Sequence, residues 1–513
     1  MRHRLQLQSL IGICLLFSII SCKKNKIDPD KPTETASRAE LTKDSIFLYA
    51  KEVYLWNTAL PTYSVFNPRS FTQNRDEFAN YEAELLKITR YTSNENWYSS
   101  RGILYDEPKY SYIEEAQDGG VIANIGGEKS YVELDGYGND IGLGLAYISR
   151  TQYDNSYDIY VKYVSPGSPA ALKNIKRGSI ITKVNGISYG SNFDAEIDRF
   201  LDAIDGSSVT LTLYPPSSSV SKEITLGKTR YKSSPIFKDT VYVRNTDNIG
   251  YLAYARFSEK IDSEPALDAV FQRFASANVN KIIVDLRYNG GGYVSSAEKL
   301  INLIIPQIYN GKLLFTEKYN ETMRTGKATI LKNQFYTDER GVKQSYFGRY
   351  DNITSYANKS ASNYLANVQK VVFIVSGSTA SASELTINSL KPYMDIKLVG
   401  SKTYGKPVGF FPIRIDKYDV YYSMFESFNS NNEGGYYSGI NVDYAIQDPF
   451  TKELGDPTET NIAVAITYLM NGVFPPAVQS KAAAERNILS SPRVFYNDGF
   501  KGMIERPERV LTK

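Results

Sequence analysis

A multidomain α/β fold is what this 513-residue sequence predicts, and three observations carry that reading. The stretch 41–115 has mostly helical periodicity. The region after Pro235 alternates strands with helices, as a largely parallel sheet requires. At its centre lies 371–409, VVFIVSGSTASASELTINSLKPYMDIKLVGSKTYGKPVG, which reads as strand, elbow, helix and strand.

In the helical stretch, Ile46, Tyr49, Ala50 and Val53 recur at i, i+3, i+4 and i+7, and 78–88 repeats an amphipathic pattern. Tyr54 and Trp56 read as packing residues, so no chemistry is assigned there. Further on, 249–254 reads as a strand, 264–275 as a helix with Ala266, Val270 and Phe274 inward, and 281–286 as a second strand. That strand runs into Asn289-Gly290-Gly291-Gly292, followed by a helix with Ala297, Leu300, Ile301 and Ile304 on one face. Residues 313–366 read as an insertion rich in Tyr, Asn, Lys and Thr. The run 371–375 is apolar, β-branched and too short for a helix, which is the pattern of a buried parallel strand. A helix is expected from Ala380 to Leu390, stopped by Lys391-Pro392, with 396–399 as the next strand and 456–470 as a closing helix.

Chemistry concentrates at Ser381. A serine where a strand becomes a helix sits beside unpaired backbone N–H groups and the positive end of the helix dipole. The small neighbours Ser378, Ala380, Ala382 and Ser383 leave room for a substrate backbone. The same position also suits a plain helix N-cap. His3, Cys14 and Cys22 are the chain's one histidine and two cysteines. All lie in or at the edge of a targeting segment, 1–22, with basic Arg2 and Arg4, an apolar core and a small residue before Cys22. Once it is removed, no imidazole remains, which excludes a Ser-His-Asp triad, a Cys-His pair and histidine-ligated zinc. A serine nucleophile would then need a different base, and a lysine kept neutral by burial can serve. The formal charge of +3 provides no electrostatic ground for nucleic-acid binding. The glycine loop lacks the Lys-Ser/Thr of a phosphate loop, and no cofactor is expected.

GSTASASEL followed by SKTYGKPVG resembles the catalytic core of the S41 serine peptidases, the carboxyl-terminal processing peptidases. The resemblance implies Ser381 as nucleophile and, 25 residues on, Lys406 as base. It implies an oxyanion hole from backbone N–H groups of Gly290 or Gly291 and of Ala382. Phe410 stands where the family often carries a glutamine, and Val442 where proline is usual. Lys402 is a possible competitor for the base. Residues 119–232 resemble a PDZ domain on three segments: IGLGL at 141–145, VSPGSPAA at 164–171 and GSIITKVNG at 178–186. Leu143, Gly144 and Leu145 would clasp a peptide carboxylate, and the following strand would accept the peptide as an added strand. ISC at 20–22 resembles a bacterial lipobox, which implies lipidation of Cys22.

The expected organisation is a signal peptide with lipobox (1–22), a flexible tether (23–40), a small N-terminal helical domain (41–118), the PDZ domain (119–232), a crotonase/ClpP-like α/β catalytic domain (233–475) and a tail without assigned role (476–513). The expected activity is Ser-Lys endopeptidase action on proteins or peptides with accessible C-termini. The expected location is the bacterial envelope, lipid-anchored on the periplasmic face of the outer membrane. Two rival readings are a non-catalytic PDZ lipoprotein that binds peptides and, by fold kinship of the core, a small-ligand or acyl-CoA protein.

Overall fold

The computed structural model describes residues 36–505 except 97, 99–101, 103, 117–131, 152–153, 245–246, 339, 352, 360–364, 366, 369, 477–487 and 490–501. The signal segment with Cys22, and most of the tether and tail, lie outside the described residues.

Helix α1 (Arg38–Val53) starts inside the stretch read as tether. Its start is set by a capping box: Glu40 N–H donates to Ser37 Oγ and Ser37 N–H to the Glu40 carboxylate. With α2 (Glu77–Thr89) it buries Ile46, Phe47, Val53, Leu85 and Ile88. The stretch read as helical ends in a strand, β1 (Tyr112–Glu115), paired antiparallel with Tyr418–Tyr421 far along the chain. The same hydrophobic core runs from Ile46 through Phe271 to Ile504, so the N-terminal helices share the core of the α/β body.

An antiparallel sheet follows, built from β2 (Leu143–Ser149), β3 (Tyr157–Val164), β4 (Ile180–Val184), β5 (Ser208–Tyr214) and β6 (Lys222–Gly227) in that spatial order. Helix α3 (Phe193–Ile204) packs on it through Phe193, Ile197, Phe200 and Leu201, which close a separate core with Tyr157 and Leu211.

The largely parallel sheet runs β7 (Ile236–Arg244), β8 (Asp247–Tyr254), β9 (Lys281–Asp285), then β10 (Lys370–Val375), β11 (Asp395–Gly400) and β12 (Tyr444–Ala445). All are parallel except β7 at the edge. Parallel strands covered on both faces must be apolar throughout, and β9 is buried at every position. Helices α4 (Lys260–Ser276) and α5 (Val294–Ile304) bury Leu267, Phe271, Leu300 and Ile301 in the large core with α6 (Ala382–Leu390). Helix α7 (Thr460–Asn471) packs with Val372, Ile374 and Val399 in a separate core. Residues 313–366 are no appendage. Leu313–Tyr319 and Ile353–Tyr356 share a four-stranded sheet with Phe425–Asn429 and Val408–Gly409, which carries the Lys406 segment. Two short tail strands, β13 (Ile488–Leu489) and β14 (Gly502–Ile504), return to the body.

Candidate active site

Strand β10 ends at Val375 and helix α6 begins at Ala382, two residues later than the sequence suggested. The delay has a backbone cause. Ser381 sits at φ 59°, ψ −111°, a region that costs a non-glycine residue about 1–3 kcal/mol and is tolerated only where its surroundings dictate it. Here Ser381 N–H donates to Glu384 Oε2 at 2.9 Å and its carbonyl accepts from Leu385 N–H at 2.7 Å. Ser383 Oγ and Ala380 N–H both donate to the Asn289 carbonyl, fastening the elbow to the glycine loop. Ser381 Oγ is buried and makes no hydrogen bond among the described residues. A buried hydroxyl without a partner is costly and calls for an explanation, of which a catalytic role is one.

The glycine loop lies against this elbow. A Cβ on Gly291 would come within 3.0 Å of both the Ser381 Cβ and the Ala380 carbonyl, and Gly291 itself adopts φ +110°, so only glycine fits. Gly291 N–H is committed to Asn289 Oδ1 at 2.9 Å, and Asn289 Nδ2 is held by the Tyr254 carbonyl. Of the two loop glycines expected as donors, Gly291 thus has its N–H engaged within the loop. Ala382 N–H, at the first helical position, has no acceptor within its own helix.

Lys406 is 1% exposed, and its surroundings come from Glu95, Lys109-Tyr110 and Glu384 as well as the nearby Phe410. Nζ donates to the Tyr110 carbonyl at 3.2 Å and lies 4.4 Å from the centre of the Phe410 ring. Burial pulls the amine down to about 7, helped by the nearby Lys109 and opposed by the Glu95 and Glu384 carboxylates. Glu95 is itself buried, accepting from Tyr110 N–H, Ser111 N–H, Ser111 Oγ and Ser423 Oγ. Lys109 donates to the carbonyls of Gly405 and Tyr437, and burial lowers it to about 8. Phe410, at the position of the family glutamine, thus closes the amine under an aromatic face.

Glu384 ties the two halves together. Its Oε2 accepts from Ser381 N–H and Lys406 N–H, the latter at 2.8 Å, while Oε1 accepts from Gly405 N–H and Thr403 Oγ1. Burial raises its pKa against these four donors. Sequence reasoning assigned Glu384 no role, although Ser381-x-x-Glu384 has the spacing of a capping box. Nothing in the local sequence pointed to Glu95, and Lys109 and Tyr110, in a segment that resembles the closing signature of the family's N-terminal helical domain, were assigned no chemistry. Lys402, the competing base, is exposed and lacks the desolvation the role requires.

Leu143 and Gly144 lie in the β2–β3 ladder opposite Val164 and Tyr163, and a bulge follows at Leu145. Leu145 lines a cavity of about 230 Å³ together with Tyr147, Leu489, Ser376 and Ser378, so the expected peptide clasp and the approach to the elbow share one space. Across this junction Arg177 pairs with Asp448, which Arg287 and Tyr288 also contact. Burial alone would raise Asp448, but the two guanidiniums hold it well below the usual carboxylate range. A buried network of this kind is weak evidence for stability, but removing one partner would leave a buried charge uncompensated.

Residues 248–446 match the family described as "Peptidase family S41", and 160–215 match "PDZ domain". The chain is similar to a "Probable CtpA-like serine protease" of Staphylococcus haemolyticus (strain JCSC1435), 24% identical over 276 residues, covering 54% of this chain and 47% of the relative. A protein of the same name in Staphylococcus aureus (strain COL) is 27% identical over 271 residues, 53% of this chain and 45% of the relative. The chain thus spans about half the length of the curated relatives it matches. Among solved structures, the "Putative S41 protease from Bacteroides fragilis NCTC 9343" has the same fold, with a TM-score of 0.59 at 20% identity over 86% of this chain and 100% of that one. The α/β body that carries Ser381 and Lys406 thus matches the S41 peptidase family over 248–446, and a PDZ match at 160–215 precedes it in the same chain.

Proposed function

We propose that this chain is a serine endopeptidase with a Ser381-Lys406 dyad, acting on proteins or peptides whose C-terminal segments reach the PDZ domain. One observation carries the reading: a lysine pulled to about 7 by burial is tied through one carboxylate to a strained serine whose hydroxyl has no partner. Neutral Lys406 takes the Ser381 hydroxyl proton as Oγ bonds to the substrate carbonyl carbon. Gly290 and Ala382 N–H groups face the oxyanion. The C–N bond then breaks and Lys406 returns its proton to the leaving amine. Water attacks the ester, giving a proton to Lys406, and the C–O bond breaks as Oγ takes that proton back. In this structure Ser381 Oγ is not hydrogen-bonded to Lys406, so a side-chain rotation on substrate binding has to make that contact.

The active form is the neutral amine, so activity rises with pH through about 7 and levels off above it. The test is cleavage of an unstructured protein with an apolar C-terminus by the chain lacking residues 1–22, against Ser381→Ala and Lys406→Ala. Loss of cleavage in both, with the fold intact, supports the dyad. Binding without cleavage at any pH from 6 to 10 would favour the peptide-binding reading, which the unmade Ser381-Lys406 contact and Phe410 also suit. The proposed setting is the bacterial envelope, with the body held at the outer membrane through lipidated Cys22. Incorporation of labelled palmitate that survives Cys22→Ala would refute that anchor.

A further inference from the structure

The strand an incoming peptide would use on the PDZ domain is already taken by this chain's own tail. Strand β13 adds antiparallel to the free edge of β2, with Ile488 opposite Ile148 and Leu489 opposite Tyr147. Leu489 packs against the PDZ core and lines the cavity shared by Leu145 and Tyr147. This is strand addition as a peptide ligand performs it, with backbone pairing for affinity and one apolar side chain for selectivity.

The occupant is pinned on both sides. Before it, Phe474 stacks on Tyr468 of α7, and Tyr444 donates to the Pro476 carbonyl. After it, β14 lies between the glycine loop and Phe410: Gly502 N–H donates to the Gly290 carbonyl at 3.0 Å, Phe410 N–H to the Met503 carbonyl at 3.0 Å and Glu505 N–H to the Phe410 carbonyl at 2.9 Å. Met503 and Ile504 are buried in the main core. A segment held at both ends competes for the β2 edge intramolecularly, which an outside peptide does not. An outside peptide then binds with its intrinsic affinity reduced by the fraction of time the edge is free.

We propose that Ile488-Leu489 is a built-in ligand of the PDZ edge, which an extended peptide bearing a leucine-like side chain opposite Tyr147 must displace. The proposal rests on the peptidase reading only for its consequence, gated access of substrate to Ser381. Binding is measured apart from cleavage, in the chain carrying Ser381→Ala, with a fluorescein-labelled ten-residue peptide ending in a free leucine carboxylate. Adding Leu489→Asp, which puts a charge where the apolar side chain sits, should tighten the peptide dissociation constant at least tenfold by fluorescence anisotropy. In the chain with an unaltered tail, saturating peptide should speed deuterium exchange at the 488 and 489 amides. An unchanged or weaker affinity in Leu489→Asp, no binding to either chain, or exchange at 488–489 that stays slow with peptide bound overturns the proposal. If Leu489→Asp does not fold, the exchange measurement decides alone. A chain that binds in the expected pattern but never cleaves sinks the peptidase reading and leaves this one standing.

Discussion

Ser381 and Lys406 are both stability liabilities, but of opposite construction. The serine's unusual state is a matter of backbone: a left-handed residue at the mouth of α6, held by a carboxylate three positions along the same helix. The lysine's state is a matter of solvation: burial against Tyr110 and Phe410 lowers it, Lys109 helps and Glu95 opposes, and of these only Phe410 is near it in sequence. A nucleophile can be presented by local geometry, whereas lowering a base by this much needs the whole interior to exclude water. Glu384 is where the two constructions meet.

The contrast can be broken first at the lysine. Lys406→Met should abolish cleavage and at the same time stabilise the fold. The native amine titrates near 7 and the unfolded one near its ordinary 10.5, so the unfolded chain binds the extra proton between those values. Native stability is therefore penalised in full below about pH 7, recovers as pH rises and is unpenalised above about 10.5. Urea unfolding should show a gain on the order of a few kcal/mol for Lys406→Met at pH 6 and little at pH 10; an equal gain at both would refute desolvation as the cause.

Glu384→Gln comes next, because a neutral amide cannot accept from all four donors and turns two of its own N–H groups on them. We expect kcat to fall by about 10²-fold with KM little changed, as for a positioning residue displaced by a fraction of an ångström. Activity that fell only through KM would place Glu384 in substrate binding instead. Smaller is the serine pair. Both Ser381→Gly and Ser381→Ala should be inactive, but only glycine relieves the positive φ, and it should be the more stable by about 1–3 kcal/mol in thermal unfolding. Equal stability of the two would mean the elbow carries no strain. Smallest is Phe410→Gln, which offers the ammonium a polar partner in place of a ring. The acid limb of the pH–rate profile should move up by about one pH unit; a limb that stays put would show that Phe410 does not set the amine.

Much of this site was legible from residues alone. The apolar run at 371–375, the small-residue elbow and the helix after it are local patterns, and each element stands where its periodicity placed it within two residues. The glycine loop was legible too, though not that Asn289 would claim the Gly291 N–H, since that depends on where a side chain turns. The insertion at 313–366 looked inert because the strand that joins it to the Lys406 segment, Phe425–Asn429, lies far along the chain. The tail offered no pattern at all. Its strands are two and three residues long, and they exist because edges elsewhere have unpaired backbone to satisfy.

What the sequence determined by itself was identity and order: a serine at an elbow, a lysine 25 residues on, no imidazole once the first segment is gone, and a PDZ-like stretch upstream. These follow from backbone sterics and hydrophobic period, which act over a few residues. Only the tertiary structure decided that Lys406 is dry, that the N-terminal helices end by walling it in, and that the tail lies on the peptide edge. Desolvation and strand pairing belong to whatever is packed nearby, and no spacing along the chain encodes them.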